Sequence, residues 1–411
     1  MSRDHVLYRD YTKRYPTITH GQGVYLYDDT GKRYIDACGG AVVVNVGHGR
    51  GEVAEAVAAQ AKAVGYISSQ RARTQIQIDL SERIAKHAPG DLSNVFFVSS
   101  GSEASESALK LARHHSLDKG RTEAYKVVSR WQSYHGNTIG AMSLGGRTGG
   151  RIRYTPLLID FPHIVPPYCY RCPFGLTYPS CDLACARDLE RTIRQTGANS
   201  ITAFIAEPVI GATLGAAVPP DGYYQLVREI CDKYDILFIA DEVMAGMGRT
   251  GAWFSIEHWS VLPDIICFGK GISSGYTPLS GIIVSDRIVD LLIQKGGRFG
   301  HGHTHTANPV ALAAGIAVLD ILEREKLVER ARTQGAYLME KLQQLRERKH
   351  VGDVRGKGLM VGVEFVRDKR TKEPFPAEVH FTERVAQRGM EKGAFFLAGN
   401  GSVDGVLGDH I

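Results

Sequence analysis

The sequence predicts an α/β fold with a large domain built on a mostly parallel sheet and a smaller α+β domain. A chain of 411 residues is long enough to bury a large core in two lobes. Short β-branched or aromatic runs alternate with helix-length amphipathic stretches, which is typical of βαβ units. Polar side chains follow the apolar runs, and open α/β sheets bind their ligands at the carboxyl ends of the strands.

Six apolar runs are the predicted strands of the large sheet. Polar residues follow their apolar cores at Ser99, Ser100, Glu207, Asp241 and Lys270. We therefore expect these side chains to gather along one edge of the sheet. The runs are "NVFFVSS", "YKVVSR", "ITAFIAEP", "ILFIADEV", "DIICFGK" and "SGIIVSD".

The small domain is predicted to combine both ends of the chain. "GVYLYDDTGKRYIDA" predicts a hairpin, and after Asn308-Pro309 a long helical pattern leads to "VGDVRGKGLMVGVEFV", a separate strand layer. The expected division gives 1–58 to the small domain, 59–308 to the large domain and 309–411 to the rest of the small domain.

Composition excludes several function classes. The chain has 49 Lys+Arg against 44 Asp+Glu, a net charge of +5, and neither sign forms a long block, so we expect no nucleic-acid partner. The N-terminus has no apolar signal region, and we expect no membrane span and a cytoplasmic location. Seven cysteines without an export signal predict reduced thiols rather than a disulfide framework.

The stretch "SSGSEASESALKLARHH" predicts a helix N-terminus that binds phosphate. Ser100 and Glu103 fit a capping box, which puts Gly101 and Ser102 in the first turn with free backbone N–H groups. Such a turn attracts a phosphate, although a plain helix cap is the favoured explanation when the stretch is taken alone.

Two more residues complete a pattern. Asp241 follows one apolar strand and needs a cationic or proton-donating partner, which a protonated pyridine nitrogen supplies. Lys270 lies between Gly269 and Gly271 at the end of another strand, where its amine can meet an aldehyde. Together with the phosphate-binding turn, they match the three groups by which a protein holds pyridoxal phosphate: its phosphate, its ring nitrogen and its aldehyde. The ring of Tyr134 can stack on the pyridine face.

Eight segments, in this order, carry a family resemblance. The chain resembles a class III pyridoxal-phosphate aminotransferase of the ornithine and ω-amino acid type over nearly its whole length. The segments are "GVYLYDDTGKRYIDACGG", "VVVNVGH", "SSGSEASESALKLAR", "SYHGNTIGAMSL", "AEPVIG", "FIADEVMAGMGRTG", "PDIICFGKGISSGYTPLSG" and "GHGHTHTANPVALAAG".

The resemblance implies the fold and the site. The fold is that of the fold type I pyridoxal-phosphate transferases, Lys270 forms the internal aldimine, and Asp241 pairs with the pyridine nitrogen. The other implied roles are phosphate binding for Gly101 and Ser102, stacking on the ring for Tyr134 and Val243, a substrate-side position for Glu207, and contact with the partner subunit's cofactor phosphate for Thr304 in a homodimer.

The function implied by the resemblance is transamination by a ping-pong mechanism. The amino group moves from an amine or an ω- or α-amino acid to a small 2-oxo acid, pyruvate or 2-oxoglutarate. The alternatives are a racemase or lyase on the same cofactor, or a catalytically impaired protein that binds the cofactor, because one fold supports all of these. The sequence does not choose the donor, the acceptor, or a dimer over a tetramer.

Two clusters raise the question of a metal. His301, His303 and His305 alternate in "GHGHTHTANP", but no carboxylate or cysteine is near in sequence, and we expect no metal there, whereas a substrate-side role for His305 stays open. Cysteines 169, 172, 181 and 185 have a C-x2-C-x8-C-x3-C spacing, in which the last two would share a helical face. Zinc is an open alternative for these four thiols, and packing as small apolar groups is the one we expect.

The C-terminus carries one further expectation. In relatives, the segment resembling "DGVLGDHI" is followed by an apolar strand and a final helix, often with an arginine that binds the substrate carboxylate, whereas this sequence ends at Ile411. We expect a truncated chain with an incomplete small domain and weaker selection for dicarboxylate or α-amino acid substrates.

Overall fold

The computed structural model describes residues 5–13 and 15–411, which form three sheets with helices packed around them. The strands are β1 (Ile18–Gln22), β2 (Tyr25–Asp28), β3 (Arg33–Asp36), β4 (Leu92–Val98), β5 (Lys126–Arg130), β6 (His163–Ile164), β7 (Ile201–Ala206), β8 (Leu237–Asp241), β9 (Ile265–Phe268), β10 (Ser280–Ser285), β11 (Val351–Lys357), β12 (Met360–Phe365), β13 (Ala394–Phe395), β14 (Gly399–Asn400) and β15 (Asp409–His410). The α-helices are α1 (Gly39–Val42), α2 (Gly51–Ala63), α3 (Gln75–His87), α4 (Gly101–Asp118), α5 (Ile139–Leu144), α6 (Thr148–Arg151), α7 (Ala184–Thr196), α8 (Tyr223–Lys233), α9 (Asp286–Gln294), α10 (Pro309–Arg324), α11 (Leu327–Gln343) and α12 (Phe381–Glu391).

A seven-stranded sheet in the order β4-β10-β9-β8-β7-β5-β6 forms the centre of the molecule. β10 runs antiparallel to both of its neighbours, and the other pairs are parallel. All six predicted runs form strands of this sheet, so the predicted α/β fold class with a mostly parallel sheet is confirmed. The two-residue strand β6 was not predicted, because so short a strand has no period of its own.

The middle of the sheet is covered on both faces. Successive residues of β7 and β8 belong alternately to two apolar cores: Phe204 and Phe238 pack in one, and Ala203 and Leu237 in the other. All residues of both strands are buried. A parallel strand with two covered faces needs apolar residues at every position, which explains their continuous apolar runs.

Two four-stranded sheets flank this core. One has the order β1-β2-β3-β13, and the other β11-β12-β15-β14. The predicted pairing of β2 with β3 and the strand layer after α11 are both present. β13 joins the first sheet parallel to β3, so the two ends of the chain share one sheet. The domain boundaries given above stay a prediction.

The long helical pattern after Asn308 forms two helices rather than one. The Asn308 side chain caps α10 by accepting hydrogen bonds from the backbone N–H groups of Val310 and Ala311. α10 ends at Arg324, and Lys326, at φ 52°, precedes α11. The left-handed backbone at Lys326 breaks the hydrogen-bond ladder, which the apolar period alone does not reveal.

The cysteine-rich segment departs from the expected geometry. All seven cysteines of the chain are unpaired thiols. Cys181 precedes α7 and Cys185 lies in its first turn, so the two thiols do not share a helical face as their spacing predicted. Asp182 and Leu183 between them have positive φ angles, which no helix interior allows. Over residues 5–13 and 15–411, no three histidine, cysteine or acidic side chains are grouped so that they could hold a metal.

None of the helices in the described ranges has both the length and the apolar character needed to cross a bilayer.

Candidate active site

Asp241 and Lys270 lie at the same edge of the central sheet. Asp241 is the last residue of β8 and pairs in register with Cys267 of β9, and Lys270 follows β9 directly after Gly269. Because the two strands are adjacent and parallel, their carboxyl ends bring the carboxylate and the amine to one side of the sheet. The structure thus brings together two residues that are 29 positions apart in sequence.

Asp241 is held by two hydrogen bonds. Its Oδ2 lies 2.7 Å from Nδ1 of His135, and its Oδ1 accepts from the backbone N–H of Val243 at 3.1 Å. Both side chains of the His135–Asp241 pair are almost fully buried. Nε2 of His135 has no hydrogen-bond partner among the described residues. The sequence pattern assigns a role to Tyr134 and none to His135, although both lie in the segment "SYHGNT".

The loop that carries His135 is fixed against α4. The backbone carbonyl of His135 accepts a hydrogen bond from Ser105 Oγ at 2.7 Å. Gly136 has φ 135°, and a Cβ atom there would lie 2.5 Å from Ser102 Oγ and 2.8 Å from Ser102 Cα. Only glycine permits this approach of the loop to the helix.

The Lys270 amine is free of partners. No hydrogen bond or ion pair joins its Nζ to another residue of the described chain. Burial lowers its pKa, and the positive charge of Arg249 acts in the same direction, while Asp241 and Glu207 act against it. The backbone of Lys270 is left-handed, at φ 45°.

A side chain from the N-terminal segment supports the turn that carries Lys270. Asn45 Nδ2 donates to the carbonyl of Gly271 at 3.0 Å and to that of Met247 at 3.2 Å. Asn45 lies in the quoted segment "VVVNVGH", but nothing in the sequence pairs it with a turn 226 positions away.

The N-terminus of α4 has the predicted cap, with one difference. Ser100 Oγ accepts from the N–H of Glu103 at 3.2 Å, as in a capping box. The Glu103 carboxylate instead accepts from the N–H of Ser99, one residue before the cap, at 2.7 Å. Ser102 Oγ accepts from the N–H of Asn137 at 3.0 Å. The first turn of α4 and the 134–137 loop therefore form one continuous wall.

Val243 closes this wall toward the sheet. A Cβ atom at Gly101 would lie 2.8 Å from Val243 Cγ1, and one at Gly269 would lie 3.3 Å from the same atom. Val243 therefore lies between the first turn of α4 and the strand end that carries Lys270. Three predicted site residues, Gly101, Val243 and Lys270, are thus close together.

Glu207 is buried and accepts two backbone hydrogen bonds. Its Oε1 accepts from the N–H of Tyr134 at 3.0 Å, and its Oε2 from the N–H of Gly211 at 2.8 Å. Burial raises its pKa. Glu207 thus fixes the backbone under Tyr134, whose own side chain is 40% exposed.

Thr304 lies in an exposed loop before α10. That loop is anchored on the same chain, since His301 Nε2 lies 2.8 Å from Ser107 Oγ of α4, and His303 N–H donates to Thr306 Oγ1 at 2.9 Å. His305 contacts Tyr66 edge to face, with ring centroids 5.9 Å apart. The proposed reach of Thr304 to a partner subunit stays a prediction.

The residues at this edge fit pyridoxal phosphate. The carboxylate of Asp241 makes two hydrogen bonds and retains lone pairs for a third donor, such as a ring N–H. The amine of Lys270 has no competing partner. The first turn of α4 offers backbone N–H groups beside Ser102, and Gly136 leaves the space that a side chain would fill. The carboxylate, the amine and the helix N-terminus expected from the sequence lie at this edge, and their roles toward the cofactor stay predictions.

The described geometry agrees with comparisons to known proteins. The family model described as aminotransferase class-III matches residues 7–403. The putrescine–pyruvate aminotransferase of Pseudomonas aeruginosa is 39% identical over 384 residues, which cover 91% of this chain and 84% of that protein.

Two solved structures are similar over nearly the whole chain. An (S)-enantioselective omega-transaminase from Thermomicrobium roseum has a TM-score of 0.91 and 40% identity, and the match covers 97% of this chain and 88% of that one. The omega transaminase of Pseudomonas jessenii in complex with PMP has a TM-score of 0.92 and 32% identity, over 99% of this chain and 91% of that one.

Proposed function

The chain belongs to the class-III aminotransferase family, whose members depend on pyridoxal phosphate, and from that premise we propose which amino transfer it performs. It moves an amino group from an amine or an ω- or α-amino acid to a small 2-oxo acid, either pyruvate or 2-oxoglutarate, in two alternating half-reactions. The relative from Pseudomonas aeruginosa is named for putrescine and pyruvate, which are substrates of these two classes.

One observation carries the proposal. A partner-free lysine amine with a lowered pKa lies at the same sheet edge as a buried carboxylate that two hydrogen bonds hold in place. A buried carboxylate of this kind stabilises positive charge next to it, and a lysine with a lowered pKa is neutral for more of the time and so a better base and nucleophile. Amino transfer needs both groups: a base at the substrate's α-carbon and a negative charge that stabilises the group that accepts the electron pair.

Each residue has a separate task in this proposal. Bound pyridoxal phosphate supplies an aldehyde that condenses with amines and a protonated ring that accepts the electron pair released at the substrate's α-carbon. Asp241 keeps a negative charge at the position of the ring nitrogen, and His135 fixes the orientation of that carboxylate. Lys270 Nζ removes the proton from the substrate's α-carbon and later returns a proton to the product side.

The remaining residues hold the cofactor and exclude water. Gly101 and Ser102 would hold the cofactor phosphate at the positive end of the α4 dipole. Tyr134 and Val243 would hold the cofactor ring between them, and Glu207, which fixes the backbone of Tyr134, would lie on the substrate side. Proximity to apolar side chains on both faces lowers the local dielectric and strengthens the Asp241 interaction.

The proposed function is tested by mixing the cofactor-loaded protein with a panel of amino donors. Conversion of the cofactor to its aminated form, read by absorbance and reversed by a 2-oxo acid, supports amino transfer. Lys270→Ala abolishes turnover, and Lys295→Ala, which removes an exposed lysine after α9, leaves it unchanged. Wild-type protein that racemises a donor, or eliminates from it, without reversible amination contradicts the proposal.

We also infer a cytoplasmic homodimer. Large apolar side chains between residues 134 and 159 are exposed on the single chain, including Tyr134, Ile152 and Leu157. Exposed apolar side chains that form one patch mark contact surfaces in other proteins, and we infer that this segment contributes to such a patch. Light scattering coupled to gel filtration gives the mass in solution, and a monomer that is fully active contradicts this part of the proposal.

A further inference from the structure

Arg249 has an unused positive charge beside the candidate site. It follows β8 in the segment "GMGRTG", and its Nη2 donates to the carbonyl of Val44 at 3.0 Å. No carboxylate within residues 5–13 and 15–411 forms an ion pair with it. A guanidinium has five N–H donors and stays charged under all ordinary conditions, so one bond to a carbonyl leaves most of its capacity free.

The guanidinium faces a cavity that borders the site. The cavity has a volume of about 500 Å³, and its lining includes Arg249, Asn45, Gly211 and Met244. These last three adjoin the candidate site, since Asn45 bonds the turn after Lys270, Gly211 bonds Glu207, and Met244 follows Val243. The nitrogens of Arg249 that make no hydrogen bond keep some accessible surface.

Asp36 is the acidic residue whose charge affects Arg249, and both of its carboxylate oxygens already have hydrogen-bond partners. Asp36 raises the pKa of Arg249, while burial, the larger effect, lowers it. Oδ2 of Asp36 lies 2.9 Å from His48 Nε2, and its Oδ1 accepts from the N–H of Gly40 at 2.9 Å. Among the described residues that line the cavity, Arg249 is the one lysine or arginine.

The position of Arg249 is fixed from both sides. Its carbonyl accepts a hydrogen bond from the N–H of Leu359 at 3.0 Å, and its side chain donates to Val44 of the N-terminal segment. A charged group that is partly withdrawn from water and held without a counter-ion is costly, and an anionic ligand removes that cost. The surrounding wall is largely apolar, which strengthens a charge-assisted bond formed there.

We propose that Arg249 binds the carboxylate of the amino acid donor and of the 2-oxo acid acceptor. The inference rests on the proposed amino transfer and adds the residue that selects carboxylate-bearing substrates at that site. Arg249 donates to the carbonyl of Val44, and the next residue, Asn45, donates to the carbonyl of Gly271, which directly follows Lys270. These two contacts bring Arg249 to the turn that carries Lys270, where one small substrate can meet both residues. A carboxylate binds a guanidinium in a bidentate manner, which also fixes the orientation of the α-carbon.

The test compares substrates with and without a carboxylate in cofactor-loaded Arg249→Gln and Arg249→Lys. With alanine as donor, kcat/KM falls about a hundredfold in Arg249→Gln, the loss expected for one charged hydrogen-bonded pair. With 2-aminobutane, which replaces the carboxylate by an ethyl group, kcat/KM falls less than threefold. Compared with Arg249→Gln, Arg249→Lys restores part of the kcat/KM with alanine, because lysine keeps the positive charge but cannot bind a carboxylate in a bidentate manner.

A binding measurement separates this role from a structural one. Propanoate has no amino or oxo group and cannot react, and isothermal titration of propanoate is expected to give a Kd at least tenfold weaker for Arg249→Gln than for the wild type. Arg113→Gln is the matched control, since Arg113 bonds the backbone carbonyl of Ala124 at 2.7 Å far along α4 and leaves both measurements unchanged.

The possible outcomes separate a failure of the Arg249 role from a failure of the proposed amino transfer. Equal losses with alanine and 2-aminobutane, or an unchanged propanoate Kd, overturn the role of Arg249 and leave amino transfer intact. Wild-type protein that fails to aminate its cofactor with every donor overturns the proposed function and the inference with it. If Arg249→Gln does not fold, Arg249→Lys alone decides, with an unchanged alanine to 2-aminobutane ratio as the contradicting result.

Discussion

The hydrogen bond between His135 and Asp241 gives the sharpest prediction about the site. The pair is almost fully buried, and the bond measures 2.7 Å between Nδ1 and Oδ2. His135→Leu removes the donor and leaves one oxygen of the carboxylate unpaired. We expect the Asp241 carboxylate to lose its orientation and to stabilise a protonated ring nitrogen less well.

The size of the effect follows from the kind of bond that is lost. A hydrogen bond to a charged group contributes about 1.5–3 kcal/mol, so kcat/KM for amino transfer should fall by about 10- to 150-fold. His135→Asn retains a donor, since the amide nitrogen of asparagine lies near the position of Nδ1. We expect it to recover most of the loss, which a purely steric role for the ring does not predict.

The assay measures kcat/KM at saturating cofactor and the pH titration of the cofactor absorbance for each variant. His115→Leu is the matched control: His115 is also buried, has an Nδ1 atom without a partner, and is kept neutral by a pKa that burial lowers to about 4. It should change stability and leave kcat/KM within about twofold. The reasoning is refuted if His135→Leu is as active as the wild type, or if His135→Asn is no better than His135→Leu.

Three further changes test other parts of the site. Gly136→Ala should weaken cofactor binding at least about tenfold, because its Cβ would clash with Ser102. Gly120→Ala, also at a positive φ but with open space around a Cβ atom, should not, and a fluorescence titration with equal affinities for the two variants would contradict this. Burial raises the pKa of Glu242 to about 8, so unfolding releases a proton between about pH 5 and 8 and stability falls by about 1.4 kcal/mol per pH unit in that range. Glu242→Gln should remove this dependence and raise Tm at pH 9, and identical Tm profiles would show that the carboxyl is ionised in the folded state. Thr304→Ala should shorten the retention of cofactor by the dimer in gel filtration, and unchanged retention would argue against a contact across subunits.

The sequence predicts the scaffold of the site better than its contacts. Apolar runs with a polar residue at the end identify β8 and β9, and parallel pairing then brings Asp241 and Lys270 to one edge without any knowledge of side-chain packing. The capping pattern likewise locates the first turn of α4. These features depend on local patterns and on the direction of neighbouring strands, both of which are written in short stretches of sequence.

Short stretches of sequence do not reveal contacts between loops that are far apart in the chain. His135 and Asp241 are 106 positions apart, and Asn45 and Gly271 are 226 apart. The partners are decided by how the 134–137 loop packs on α4 and how the N-terminal segment crosses the sheet edge, so a hydrophobic period carries no information about them. The spacing of Cys181 and Cys185 misled for a different, local reason, because the left-handed residues between them break a helix that the spacing alone predicts.

The neighbouring acids Asp241 and Glu242 show how long-range contacts give different chemistry to two residues that share one local pattern. In sequence they are one acidic pair after a strand, and side chains of successive residues point to opposite sides. Asp241 points to His135 and the site, while Glu242 is enclosed beside the 255–259 turn, where its Oε1 accepts from the N–H of Ile256 at 2.7 Å and its Oε2 has no partner among the described residues.

Burial raises the pKa of Glu242 to about 8, so at neutral pH it carries a proton and holds the turn as a neutral acid. The pair therefore presents one negative charge at the sheet edge rather than two. This matters for Lys270, whose pKa burial lowers and nearby carboxylates raise. A second ionised carboxylate beside Asp241 would favour the protonated amine, and keeping Glu242 neutral and turned away leaves burial the stronger effect, as a base at the α-carbon requires.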